Sequence, residues 1–121
     1  MSRTIIAVVD DLFFASKIRG TAEQLGVTVS FPRRADALVA AVLRDRPALI
    51  ICHLHATRVD PIELAKVLKA DDRLRSIPLL GFFSHVQTQL QRQAEDAGFD
   101  RVIPQSAFAK HLPEILSETE S

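Results

Sequence analysis

Five short apolar runs, each followed by a longer segment of mixed polarity, constrain the fold of this chain more than any other feature. The runs occupy residues 4–9, 27–31, 48–52, 77–83 and 101–103. Short runs of continuous apolar character are typical of strands covered on both faces, and the segments between them have helical periodicity. Strand alternating with helix predicts a parallel sheet with helices on both faces, because right-handed crossover connections place them there.

Capping and breaking residues indicate where several helices begin and end. Asp60 opens the sequence DPIE, the strongest helix start in the chain, with an N-cap acid and a first-turn proline. Ser84 and Gln87 have the spacing of a capping box before the fourth helix. Pro113 lies inside the last helical segment, so we expect it to kink that helix or delay its start.

Length and composition favour a single domain over residues 1–121, large enough to bury a core without a metal or disulfide. Lys and Arg number 15, as do Asp and Glu, so the charge balance favours neither a nucleic acid nor a membrane as partner. Cys52 lies within an apolar run and is expected to be a small buried residue in a reducing cytoplasm. The N-terminal apolar run is too short for a signal peptide or a membrane span.

Polar residues follow the apolar runs where a functional site is expected. In open parallel sheets that site lies beyond the carboxyl ends of the strands. The candidates by this rule are Asp10 and Asp11 after the first run, His53 and His55 after the third, and residues 83–85 and 104–106 after the last two.

These segments, taken in order, resemble the CheY-like receiver domains of bacterial response regulators over essentially the whole chain. VVDD at 8–11 resembles the family's acidic pair, and PALIICHLHATRVDPIEL at 47–64 resembles the pattern around its phospho-accepting aspartate. IPLLGFFSH at 77–85 and AGFDRVIPQSAF at 97–108 resemble the fourth and fifth strands with their loops. The resemblance implies a single flavodoxin-like (βα)5 domain, strand order 2-1-3-4-5, and a role in two-component signal transduction.

The family's chemistry requires Mg²⁺, which prefers oxygen ligands. A phosphoryl group moves from a phosphohistidine kinase to an aspartate at the end of the third strand. The resemblance implies that Asp10, Asp11 and the backbone carbonyl of His55 occupy the metal-ligand positions. His53 stands at the acceptor position itself.

Two further phosphate-contacting positions also depart from the family. By strand register Phe83 replaces a hydroxyl, with Ser84 one residue later, and Gln105 replaces a lysine. An imidazole at position 53 also removes one of three anionic metal ligands. We therefore expect no aspartyl phosphate, weak or absent Mg²⁺ binding and no other cofactor. The chain is interpreted as a stand-alone, non-enzymatic pseudo-receiver.

The charge state of His53 is open at this point. The neighbouring Asp10 and Asp11 favour an imidazolium that takes over the role of the metal, which requires a raised pKa. Burial favours the opposite, a neutral ring that fills space and is hydrogen-bonded. A zinc or manganese site built with His55 is a weaker hypothesis, because the pattern turns from strand to loop after residue 54.

A pseudo-receiver of this kind is expected to act by protein–protein contact. The partner could be a histidine kinase, another regulator or a second copy of the chain. The predicted interface comprises Gln87 and Gln91 on the fourth helix and Val102 on the fifth strand. In the family, an aromatic residue near the position of Val102 swings inward when a hydroxyl after the fourth strand moves toward the phosphate. No hydroxyl is available for that switch at Phe83, so we expect the switch to be absent or fixed.

The alternative function is a metal-binding protein or small enzyme at the same sheet edge. Asp10, Asp11 and His53 would then act as ligands or general acid-base groups. Against this stands the absence of a glycine after the first strand, where a nucleotide-binding loop would need one. A nucleophile paired with a base is also not recognisable in the sequence.

Overall fold

A five-stranded parallel sheet forms the centre of the fold. The computed structural model describes residues 3–84 and 88–117. The strands are β1 (Thr4–Val8), β2 (Thr28–Ser30), β3 (Leu49–His53), β4 (Leu79–Phe83) and β5 (Arg101–Pro104). Their order across the sheet is β2-β1-β3-β4-β5, so the predicted fold class and strand order are confirmed.

Helices connect the strands and cover both faces of the sheet. They are α1 (Leu12–Leu25), α2 (Ala35–Asp45), α3 (Pro61–Ala70), α4 (Thr88–Ala97), α5 (Gln105–Lys110) and α6 (Leu112–Ser117). The break between α5 and α6 falls at His111 and puts Pro113 in the first turn of α6, where its missing N–H costs nothing. The predicted effect of Pro113 is confirmed. None of the helices within the described residues is long and apolar enough to cross a membrane.

The sheet separates two apolar cores. One lies against α2, α3 and α4 and includes Ile50 and Phe83; the other lies against α1, α5 and α6 and includes Ile51 and Phe82. Consecutive strand residues point to opposite faces, which is why the two adjacent phenylalanines enter different cores. Every residue of β3 and β4 is buried, consistent with strands in the middle of a doubly covered sheet.

Cys52 is buried within β3 and contributes to the core on the α2–α4 side. Burial raises the pKa of its thiol to about 12. The thiol is therefore protonated at neutral pH and does not act as a nucleophile. The expectation of a small buried residue is confirmed.

Asp60 positions the loop that links β3 to α3. Its Oδ1 accepts hydrogen bonds from the backbone N–H groups of Ile62 at 3.0 Å and Glu63 at 3.4 Å. The predicted helix start is therefore present, with Pro61 as the first helical residue. This cap anchors the second end of a loop whose first end follows His53.

Candidate functional site

The candidate site lies where β1, β3 and β4 end at the same edge of the sheet. Asp10 and Asp11 follow β1, His53 is the last residue of β3, and Ser84 follows β4. His53 and Phe82 are register partners on neighbouring strands, so their side chains project from the same face. The fold thus brings the candidate residues of three strands together.

Asp10 holds the loop between β3 and α3. Its Oδ2 accepts hydrogen bonds from Thr57 N at 2.8 Å, Thr57 Oγ1 at 3.2 Å and Arg58 N at 3.1 Å. Burial of Asp10 opposes ionisation, but these hydrogen bonds outweigh it and hold the pKa of the carboxyl below its usual value. Asp10 is therefore an ionised carboxylate with a structural task.

Asp11 has a different task, at the start of α1. Its Oδ1 accepts from Phe13 N at 2.8 Å and Phe14 N at 3.3 Å, which makes it the N-cap of the helix. An N-cap side chain satisfies donors that have no partner within the helix. Asp10 thus stabilises the loop after β3, and Asp11 stabilises the start of α1.

His53 is the end of a stack of three aromatic rings. Its imidazole lies 4.7 Å from the Phe82 ring, with the two planes within 3°. Phe82 lies 4.1 Å from Phe108 of α5, with planes within 4°. The Phe14 ring packs at an angle against both His53 and Phe82, 5.8 and 5.3 Å away. With only 8% of its surface exposed, His53 extends the apolar core to the edge of the sheet.

A hydrogen bond joins the imidazole of His53 to the residue that follows β4. His53 Nε2 and Ser84 Oγ are 3.0 Å apart. Ser84 was predicted as half of a capping box, but its hydroxyl reaches His53, and Gln87 lies outside the described residues. This contact agrees with the alternative of a space-filling, hydrogen-bonded ring at the end of β3.

The imidazolium hypothesis is wrong. Burial, followed by the neighbouring His55, lowers the pKa of His53, and the opposite effects of Asp11 and Asp10 are weaker. The ring is therefore neutral at neutral pH, as the space-filling alternative requires.

A pH dependence of stability follows from this lowered pKa. The unfolded chain takes up the proton first, so the stability contributed by His53 is complete above the ordinary value of 6.5 and is lost as the pH falls through the folded-state value. We expect His53→Gln to remove this loss. Chemical denaturation of both proteins at a series of pH values measures it.

The stability contributed by Asp10 is lost in a separate pH window, because the loss begins only below the ordinary carboxyl pKa of 3.8. The two effects are therefore resolved along one pH series. An NMR titration that places the pKa of His53 above that of a free histidine would contradict the assignment.

The comparisons with known proteins agree with this geometry. The chain is similar to the phosphorylated cyanobacterial phytochrome response regulator RcpA, at 20% identity, TM-score 0.82, and coverage of 100% of this chain and 98% of that one. It is also similar to the receiver domain of sensor histidine kinase PA1611 from Pseudomonas aeruginosa, at 17% identity, TM-score 0.82 and coverage of 98% of both chains. The chain has the receiver-domain fold. No protein-family model and no curated protein matches the sequence.

Two of the similar receivers hold a divalent cation. PA1611 has a magnesium ion in its active-site cleft, and the response regulator Rcp1, at 16% identity, TM-score 0.81 and coverage of 98% of this chain and 97% of that one, is in a Mn²⁺-bound form. In this chain Asp10 and Asp11 each commit an oxygen to backbone donors, and position 53 supplies an imidazole. Mg²⁺ requires several oxygen ligands in near-octahedral geometry. The residues present do not fit that ion.

His55 lies closer to His53 than the strand-to-loop transition suggested. The two rings are 5.4 Å apart and meet edge to face, with an interplanar angle of 78°. Among the residues that the structure describes, no group of three His, Cys, Asp or Glu side chains could hold a metal ion. The two histidine rings pack against each other at the edge of the sheet.

The other positions of the receiver pattern have apolar or peripheral surroundings. Phe83 is 4% exposed in the core on the α2–α4 side, and half-buried Val102 packs against the same core. Gln105 is the first residue of α5 and is half-buried. Gln91 is half-buried on α4, while Gln87 lies outside the described residues. The interface role of Gln87, Gln91 and Val102 stays a prediction.

Sequence reasoning missed the aromatic environment of His53. No local sequence pattern links Phe14 or Phe108 to position 53. One available signal was the pairing of neighbouring strands, because register partners share a face of the sheet. That signal becomes usable only once the register is known.

Proposed function

We propose that this chain is a receiver-like protein of bacterial two-component signalling that acts in the cytoplasm by protein–protein contact, without aspartyl phosphorylation. The observation that carries the proposal is the buried His53, stacked on Phe82 and hydrogen-bonded to Ser84. A neutral ring in this position lacks the negative charge that would hold Mg²⁺ and the carboxylate that would form an acyl phosphate.

We propose that the residues of the degenerate phosphorylation site stabilise the fold and do not take part in phosphoryl transfer. These residues are Asp10, Asp11, His53, Phe83, Ser84 and Gln105. We propose that the chain is not an enzyme and that its partner is a histidine kinase, another regulator or a second copy. The receiver-domain fold supports a signalling role by analogy, and the site residues support the loss of phosphotransfer.

The packing of the sheet edge supports a fixed signalling state. Phe83 lies in the core on the α2–α4 side, and half-buried Val102 packs against it. Position 83 therefore carries no hydroxyl that could move, and position 102 carries no large aromatic ring that could swing. The stack from His53 through Phe82 to Phe108 ties the acceptor position to α5. A partner would then recognise one constant surface.

Incubation with acetyl phosphate and Mg²⁺ is expected to leave the intact mass of the protein unchanged. The reason is that position 53 has no carboxylate and that Asp10 and Asp11 already accept backbone hydrogen bonds. Intact-mass spectrometry followed by peptide mapping measures the outcome. A receiver with an intact acceptor aspartate, treated in parallel, controls for the activity of the reagent.

A gain of one phosphoryl group on Asp10, Asp11 or His53 would overturn the proposal. The mapped residue would then identify the altered chemistry. Phosphoramidate, used as a second donor, tests transfer to the imidazole more directly because its P–N bond resembles that of phosphohistidine.

The small-enzyme alternative is favoured by one observation, the 3.0 Å separation of His53 Nε2 and Ser84 Oγ. This distance is typical of a nucleophile and its general base. The carboxylates that the alternative would use are committed to a loop and a helix cap, so it ranks second. Covalent labelling of Ser84 by a fluorophosphonate reagent, lost in His53→Gln, would support it.

A further inference from the structure

A groove of about 700 Å³ runs between α3 and α4, beside the degenerate site. Leu54 and Ala56, which follow β3, contribute to its lining. Its size is within the roughly 300–1,000 Å³ that ligand-binding clefts occupy. His53 is not among the described residues that line the groove.

The groove combines an apolar lining with an acidic rim. Ile62 on α3 and Leu90 on α4 line it and are only half-buried, so each leaves apolar surface for a ligand to cover. Among the described lining residues, Asp60, Glu63 and Asp96 supply carboxylates and Lys66 supplies an ammonium. Lys66 pairs with Glu63 at 3.7 Å and Asp60 caps α3, so Asp96 is the carboxylate left to face a ligand cation. The whole chain has no net charge, so this local excess of negative charge distinguishes the groove.

Hydrogen bonds to Asp10 hold one lining residue of the groove, Thr57, in place. Thr57 lines the groove and also donates to Asp10 Oδ2 through its backbone N–H and its hydroxyl. A wall fixed in this way loses little conformational entropy when a ligand binds. The groove is therefore preorganised without phosphorylation.

We propose that this groove binds a peptide segment of a partner protein, in which a bulky apolar side chain is flanked by arginine or lysine. The inference deepens the proposed function, on which it rests, by specifying the chemistry of the partner. The apolar side chain would cover Ile62 and Leu90, while the cations would face Asp96 and the other carboxylates of the lining. Complementary charge of this kind contributes chiefly to selectivity and association rate.

A matched pair of charge reversals on α4 tests the groove. Asp96→Lys changes a residue that lines it, and Glu95→Lys makes the same change at the adjacent exposed position outside it. Both sites are in the last turn of α4, where a cation is favourable to the helix dipole, so the fold should persist in both variants. Circular dichroism and thermal unfolding check this.

The probe is a display library of random short peptides, selected on the whole wild-type protein. Recovered sequences should be enriched in a bulky apolar residue flanked by Arg or Lys. Fluorescence anisotropy with the recovered peptides should give affinities weakened about five- to tenfold by Asp96→Lys and changed less than about twofold by Glu95→Lys.

Four results would overturn the inference: recovery of no peptide, recovery of peptides without basic residues, equal effects of the two variants, or a dimer of the free protein that Asp96→Lys dissociates. The last would assign the groove to a second copy. Because these measurements do not involve phosphoryl donors, a failure here is distinguishable from a failure of the acetyl phosphate test.

Discussion

Replacing Phe82 by alanine is expected to lower the free energy of unfolding by about 3–5 kcal/mol. Phe82 is fully buried, and its ring is sandwiched between those of His53 and Phe108. Truncation removes the apolar area that the ring buries and leaves a cavity between two rings whose backbones lie on β3 and α5. For a domain of this size the midpoint of thermal unfolding should fall by roughly 10–20 °C.

Phe13→Ala is the matched control, because the same atoms are removed from a ring that is 67% exposed. Its effect on stability should be under about 1 kcal/mol. Urea denaturation of the two variants and the wild type gives the comparison. Similar losses for Phe13→Ala and Phe82→Ala would mean that the stack contributes little to the core.

Replacing His53 by aspartate is expected to destabilise the protein more than replacing it by asparagine, by about 1–3 kcal/mol at neutral pH. The two new side chains have nearly the same shape, and only the aspartate brings a charge. That charge would enter a position that is 8% exposed, against the Phe82 ring and near the carboxylates of Asp10 and Asp11. Burial and like charge both raise the pKa of such a carboxyl.

The sign of the pH dependence separates the variant from the wild type. A raised carboxyl pKa means that the penalty grows as the pH rises above the unfolded-state value and is complete above the folded-state value. His53→Asp should therefore approach His53→Asn in stability on acidification, whereas the wild type loses the contribution of its histidine. Equal stability of His53→Asp and His53→Asn at neutral pH would show that a carboxylate at position 53 remains in contact with water.

The substitutions of Phe82 and His53 both test one physical feature, the apolar surroundings of position 53. A neutral imidazole can stack on Phe82 and bond to Ser84 Oγ, and both contacts are observed. A buried carboxylate there would require a compensating cation. In this chain the neutral histidine therefore extends the apolar core to the edge of the sheet.

The sequence by itself determined the elements of the fold and their order along the chain. Continuous apolar runs predicted the buried strands, and Asp60 and Pro113 predicted a helix start and a helix break that the structure contains. These signals are local, because periodicity and capping depend on residues within a few positions of one another. The resemblance also implies that His53 stands at the acceptor position, and that assignment stays a prediction.

Only the tertiary structure decided what the site residues do. Asp10 bonds to Thr57, 47 residues away, and Ser84 bonds to His53, 31 residues away. The His53–Phe82–Phe108 stack depends on the register of β3 with β4 and on the packing of α5. The direction of the His53 pKa depends on burial, which the neighbouring acids in the sequence could not reveal. Each of these properties arises from distance and desolvation in three dimensions, and neither quantity is encoded in local sequence spacing.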